Sequence, residues 1–186
     1  MNEFEAKITD RLSQIDPTEL DTNGEREASV LMPIFFNKAS EPAFLLTRRS
    51  QNVASYKGHI SFPGGMSESG DASPVETALR EAHEEIGIDP VQVRVVGKFN
   101  DYLANEGFVI HTVLGFLQDT SRLKLQPEEV DYLVKIPLSF FKENSPRIEI
   151  WERNGKKFEV YFYDYQREVI WGLTARMIKH FVDQLI

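Results

Sequence analysis

SPVETALREAHEEIG, residues 73–87, defines a helix and then crowds it with acid. Ser73, followed three residues later by Glu76, forms a capping box, and Pro74 at the first helical position brings a pre-set φ. Gly87 marks the end. At about 100° per residue, Val75, Leu79, Ala82 and Ile86 make one apolar stripe, while Glu81, Glu84 and Glu85 fan across a neighbouring face. The pairs Glu81/Glu84 and Glu81/Glu85 each repel by roughly 0.2–0.5 kcal/mol. Arg80 stands four residues before Glu84 and four after Glu76, so it braces that flank and leaves Glu81 and Glu85 without an obvious cationic partner. A divalent cation would supply the missing charge, since hard cations such as Mg²⁺ take carboxylate oxygen and water and work beside substrate phosphates. On these residues alone, a solvated acidic face is an equal alternative.

Around this helix the chain of 186 residues is long enough for one domain with a real core. It has no cysteine, which excludes disulfides, thiolate metal sites and cysteine nucleophiles and fits a reducing compartment. The N-terminus MNEFEAKITDRLSQ is charged throughout, without the apolar core of a signal peptide, and no run approaches the roughly 20 apolar residues of a membrane span. A cytoplasmic protein without membrane contact is expected. The net charge of −8 opposes binding to nucleic acid, although a small anionic substrate is allowed where cations invert the local field.

Phe4, Ile8, Leu12 and Ile15 predict an amphipathic helix ending before Pro17, so residues 1–22 read as a helical extension of a single domain, 1–186. ASVLMPIFF and PAFLLTRRS predict strands, with Pro33 implying an edge or a bulge. The Gly-, Ser- and Pro-rich KGHISFPGGMSESGDASP predicts a constrained loop before the acidic helix. VQVRVVGKF, FVIHTVLGFL and KFEVYFYDY have the bias of strands. EEVDYLVKIPLSFF reads as a short helix or turn leading into a loop, and LTARMIKHFVDQLI as a closing helix with Leu173, Met177, Ile178 and Phe181 on one side. The pattern is α/β, and apolar stretches such as VYFYDY are compatible with a homodimer.

The stretch Gly64–Ile88 resembles the Nudix box, whose second half, R-E-U-x-E-E-x-G-U with U aliphatic, is matched from Arg80 to Ile88. Counted from Gly65, the acidic position of the first half is Asp71 where the usual form has glutamate, and eight residues rather than seven separate it from Arg80, which leaves the role of Asp71 open. Upstream, LLTRRSQNVASYKGHISFPGG (Leu45–Gly65) is similar to the second signature of the coenzyme A pyrophosphatase branch of the Nudix hydrolases. Ala54 stands where that signature has arginine and Tyr56 where it has histidine; Lys57, Arg48 or Arg49 could compensate.

The resemblance implies a Nudix-type α/β/α sandwich with a mixed central sheet and Mg²⁺-dependent hydrolysis of a nucleotide pyrophosphate, with Mn²⁺ as a substitute ion. It places the metal on Glu81, Glu84, Glu85 and Gly65, and the catalytic roles on Glu84, Glu85 and Arg80. Glu128 or Glu129 is the alternative base. Arg48, Arg49, Lys57 and His59 are the candidate substrate contacts. CoA or acyl-CoA is the first-choice substrate. Another nucleoside diphosphate derivative is the alternative, and a non-catalytic nucleotide-sensing module is the reading from a different class.

Overall fold

Long runs of β-branched and aromatic residues become strands, and the polar stretches with Gly or Asn between them become turns. The computed structural model describes residues 1–22, 26–104 and 107–186. Along the chain lie α1 (Glu3–Gln14), β1 (Arg26–Phe36), β2 (Pro42–Arg49), β3 (Ile60–Ser61), β4 (Gly64–Met66) and α2 (Pro74–Ile86). They are followed by β5 (Val93–Lys98), β6 (Tyr102–Leu103), β7 (Phe108–Leu117), β8 (Val130–Pro137) and α3 (Leu138–Glu143). The chain closes with β9 (Arg147–Arg153), β10 (Lys156–Tyr165), β11 (Glu168–Trp171) and α4 (Gly172–Leu185).

The main sheet runs β3-β2-β1-β7-β5, with β4 on β1, β6 on β7 and β8 on β2. It is mixed, because β1 and β7 pair in parallel from Arg26↔Phe108 to Ile34↔Phe116 while its other pairs are antiparallel. The two-residue alternation of β1 and β2 fills both faces with apolar side chains. Leu31, Phe35 and Leu45 join Ala78, Ala82 and Ile86 of α2. Met32, Ile34, Phe44 and Leu46 join side chains of α1, α3 and α4 on the other face. This is the α/β/α sandwich expected above. The N-terminal extension is part of it, since Ile8 and Leu12 are buried in the second layer. No helix among the described residues is long and apolar enough to cross a membrane.

Two expectations need correction. Pro33 is in a central strand, not at an edge or a bulge. Its neighbour on one side is β7, and on the other β1 passes from β4 (Ala28–Val30) to β2 (Ile34–Phe36). Leu31 donates its N–H to Pro63 on that second side, so by alternation the N–H that Pro33 lacks would face the hand-over between two partners, where no ladder bond is lost. EEVDYLVKIPLSFF is a strand followed by a helix, not a helix or turn followed by a loop. Val130, Val134 and Ile136 are buried while Asp131 and Lys135 are exposed, and β8 is held by its non-local pairing with β2.

A second sheet, β11-β10-β9, packs against α4. Phe162 and Tyr163 of the VYFYDY stretch are buried within the chain, the first stacked on Trp171 and the second edge-on to Phe141. A three-residue clamp ties β11 to the main sheet: Glu168 accepts from Arg48 Nη1 at 2.8 Å and from the Tyr132 hydroxyl at 2.5 Å, with the Arg48 guanidinium 5.6 Å from the Tyr132 ring centroid.

Phe44 is the hub of the second layer, with ring centroids of Phe62, Phe141 and Phe181 at 5.1, 6.1 and 4.9 Å. Phe181→Ala would leave a cavity among rigid aromatic neighbours. We expect a loss of about 3–5 kcal/mol in denaturant unfolding at an unchanged m-value.

Candidate active site

The helix α2 starts and stops as its sequence dictates. Ser73 Oγ accepts the Glu76 N–H, and Gly87 ends the helix at φ 70° with its N–H on the carbonyls of Ala82 and His83, a left-handed turn suited to glycine. The Glu76 carboxylate accepts the Ala72 N–H instead of turning back onto Ser73 or bonding Arg80. Packing of Ala78, Ala82 and Ile86 on the sheet rotates Glu85 further inward than the helical wheel implies. Glu85 is 4% exposed, whereas the Glu84 side chain is 54% exposed. The three acids therefore do not share one face.

Glu85 Oε2 accepts the Gly64 N–H at 3.1 Å, and Arg49 Nη1 lies 3.8 Å from its other oxygen. Glu81 sits directly over the glycine pair, so close that a Cβ on Gly65 would fall 2.5 Å from its carboxylate. Only glycine leaves room there for both the loop backbone and the acid. Glu81 and Glu85 are thus not without cations, as their spacing suggested, since Arg80 bonds Glu81 and Arg49 approaches Glu85.

Arg80 does more than brace a helix flank. Its Nε and Nη2 each bond one oxygen of Asp71 at 3.0 Å, Nη1 bonds Glu81 at 3.0 Å and Glu84 at 3.2 Å, and Nη2 reaches the Met66 carbonyl at 2.9 Å. Asp71 also accepts from the Glu68 N–H and the Thr77 hydroxyl. The Arg80 fork, then these bonds, hold the Asp71 carboxyl well below the usual carboxylate range. The glycine loop and the acidic helix are thereby locked together through a single side chain.

A cleft of about 430 Å³ opens beside this cluster, lined among others by Arg26, Arg49, His59, Gly65, Phe108 and Trp171. A match to the NUDIX domain runs through these elements, residues 25–162. The chain is a Nudix hydrolase. It is 37% identical over 165 residues to the "Uncharacterized Nudix hydrolase NudL" of Photorhabdus laumondii, covering 88% of this chain and 87% of that one. The protein of the same name from Pectobacterium atrosepticum is 35% identical over 187 residues, covering 100% and 94%. Among solved structures, a MutT/nudix family protein from Enterococcus faecalis superposes with a TM-score of 0.54 at 16% identity, covering 98% of this chain and 75% of that one. A C. elegans Ap4A hydrolase gives 0.51 at 19% identity, covering 60% and 80%. At such identities the structural likeness speaks for the fold.

In this Nudix hydrolase the structure brings together Glu81, Glu85, Gly65 and Arg80, with Arg49 and His59 in the adjoining cleft. Arg48 is engaged by Glu168, and Lys57 is exposed outside the lining. Glu128 and Glu129 are both exposed, but the Glu129 charge acts on Glu81 and Glu85. Its loop is fixed by Ser50 N–H to Glu129 O and Gln126 N–H to Glu85 O. Sequence reasoning missed Arg26 and Trp171 in the cleft and the anchoring role of Asp71; the acid at the box position was the one available signal.

Among the described residues no three acidic or histidine side chains converge on a single point. The donor set is instead two buried carboxylates and a backbone loop, which fits Mg²⁺, an ion that keeps several waters and uses one or two carboxylates together with substrate phosphates. Electrostatics agree. Burial pushes Glu85 up to about 8 and raises Glu81 as well, so both acids lack compensating positive charge.

Two outcomes follow from this geometry. Folded Glu85 holds its proton more tightly than an ordinary glutamate near 4.5, so its contribution to stability is complete below that value and is lost as pH rises through about 8. In calorimetry without divalent ions, Tm should fall by at least about 5 °C between about pH 5 and about pH 8.5, and Glu85→Gln should flatten that slope. Mg²⁺ should restore Tm at the alkaline end in the wild type but not in the variant. Arg80→Lys keeps the charge but loses the fork, so steady-state activity should drop by about 10- to 100-fold while circular dichroism shows the fold retained.

Proposed function

We propose that this Nudix hydrolase cleaves the pyrophosphate bond of a nucleotide diphosphate substrate with Mg²⁺ or Mn²⁺, and that CoA or acyl-CoA is that substrate. The observation that carries the reaction class is the buried Glu81–Glu85 pair set against Gly64 and Gly65 at the end of a cleft that also presents Arg49. A divalent ion held by Glu81, Glu85 and the Gly65 backbone would neutralise phosphate oxygens and lower the pKa of a bound water. The chain's own groups do the rest. Arg80 keeps Glu81 oriented through their 3.0 Å bond, Arg49 offers a cation to a phosphate oxygen, and the Gly64 N–H fixes the Glu85 carboxylate. Glu84, Glu85 and Glu129 are the acids in reach as proton acceptor, Glu129 being preferred over Glu128 for its influence on both buried glutamates.

Support for CoA comes from the Leu45–Gly65 signature, which supplies β2, β3 and the loop between them that carries Tyr56 and His59 into the cleft. The products would be phosphopantetheine and adenosine 3′,5′-bisphosphate. Ala54, exposed in that loop where the branch signature has arginine, favours a second reading, a different nucleoside diphosphate such as ADP-ribose, a nucleotide sugar or a dinucleotide.

Product mass analysis should decide. CoA, acyl-CoA, ADP-ribose, nucleotide sugars and dinucleoside polyphosphates would be incubated with Mg²⁺ and either wild type or Glu85→Gln. We expect CoA or an acyl-CoA to give the highest kcat/KM and the variant to lose at least about 100-fold. Faster cleavage of another diphosphate moves the assignment to the second reading, and no cleavage of any overturns the enzymatic one.

A further inference from the structure

The sheet β9–β11 has no role in the chemistry above, yet its aromatic face continues the cleft. The register pairs Phe158 with Trp151 and Phe162 with Trp171, placing all four rings on one side of the sheet. Phe162 and Trp171 lie parallel, 6.0 Å apart at 6°, and the Trp151 ring stands 5.7 Å from Trp171. On its other flank Trp171 approaches His59 at 4.8 Å, inside the cleft. A second cavity of about 330 Å³ lies over this face and shares Ala104, Trp171, Gly172 and Leu173 with the first, so the two form one continuous groove. Trp151 and Phe158 are 41% and 37% exposed, apolar surface that a protein rarely leaves open without use. The rim is polar: Arg153 and Arg176 offer donors, and Glu152 and Glu159 offer acceptors.

We propose that this second cavity is the nucleobase subsite of the enzyme, with the base stacking on Trp151 and Trp171. Flat π-faces suit a planar heterocycle of any sequence identity, and rim acceptors suit its exocyclic amino group. The rim arginines complement a phosphate on the ribose, which an aliphatic arm would not need. The pyrophosphate of the same ligand would lie toward Gly65 and Glu81 at the other end of the groove. Trp171 falls beyond residues 25–162, the part matching the NUDIX domain, so the platform belongs to this chain's C-terminal segment. The identity of the ligand as a nucleotide rests on the pyrophosphohydrolase reading; the existence of a stacking site does not.

The chain has two tryptophans, Trp151 and Trp171, and both are in the platform, so intrinsic fluorescence reports on it alone. The full chain, free of divalent ions, would be titrated with adenosine 3′,5′-bisphosphate, which has no pyrophosphate to cleave, and in parallel with pantetheine. We expect saturable quenching by the nucleotide and none by pantetheine. Trp151→Leu and Phe158→Ser, both at exposed positions, should weaken nucleotide binding by about 10-fold or more and raise KM for the cleaved diphosphate. Quenching by pantetheine alone, an unchanged Kd in both variants, or emission that shifts on dilution of the protein alone, as when a second copy covers the face, would each overturn the proposal. Quenching without hydrolysis of any diphosphate keeps the subsite and overturns the enzymatic reading; hydrolysis without quenching does the reverse.

Discussion

The guanidinium of Arg80 reaches Asp71, Glu81, Glu84 and the Met66 carbonyl at once, and the geometry of the acidic site depends on that reach. Five N–H donors in a rigid plane can satisfy two carboxylates and a carbonyl together, which no lysine can do. Without it, Asp71 would be left without its fork and Glu81 would lose its bearing relative to Gly65. The strand-to-helix connection would then be held only by capping bonds such as those of Ser73 and Glu76.

Around this fork the chain balances a deliberate electrostatic deficit. Burying Glu85 and half-burying Glu81 beside only Arg49 and Arg80 is unfavourable for the empty protein, and burial accordingly raises the proton affinity of both acids. The same deficit makes a hard cation welcome. The sandwich supplies the rigidity that this requires, since α2 is pressed onto Leu31 and Val113 by its alanines and cannot roll to relieve the repulsion.

Much of this was legible in the residues, and the misreadings have physical causes. The start and stop of α2, the apolar stripe of α4 and the long strands follow from local capping and periodicity. Strands such as β3, β6 and β4 are two or three residues long and carry no period to read. β8 was obscured because acidic residues before it and Phe140–Phe141 after it imitate a helical segment, while its strand character comes from pairing with the distant β2. Glu81 and Glu85 were legible as a pair. The burial of Glu85 was not, because the roll of a helix on a sheet is a tertiary quantity. Arg48 and Arg49 show the same limit. Successive residues of a strand point to opposite faces, so one meets Glu168 and the other the cleft, and only the register of β2 decides which.

The clamp of Arg48, Tyr132 and Glu168 holds the small sheet at a set position on the large one. The span from the paired glutamates on α2 to the tryptophans of β9 and β11 is therefore a rigid length rather than a hinge. A molecule that engages both ends must bridge that length, and one too short or too long can satisfy only one of them. Selection by reach, independent of the chemical identity of either end, is thus built into the joint between the two sheets.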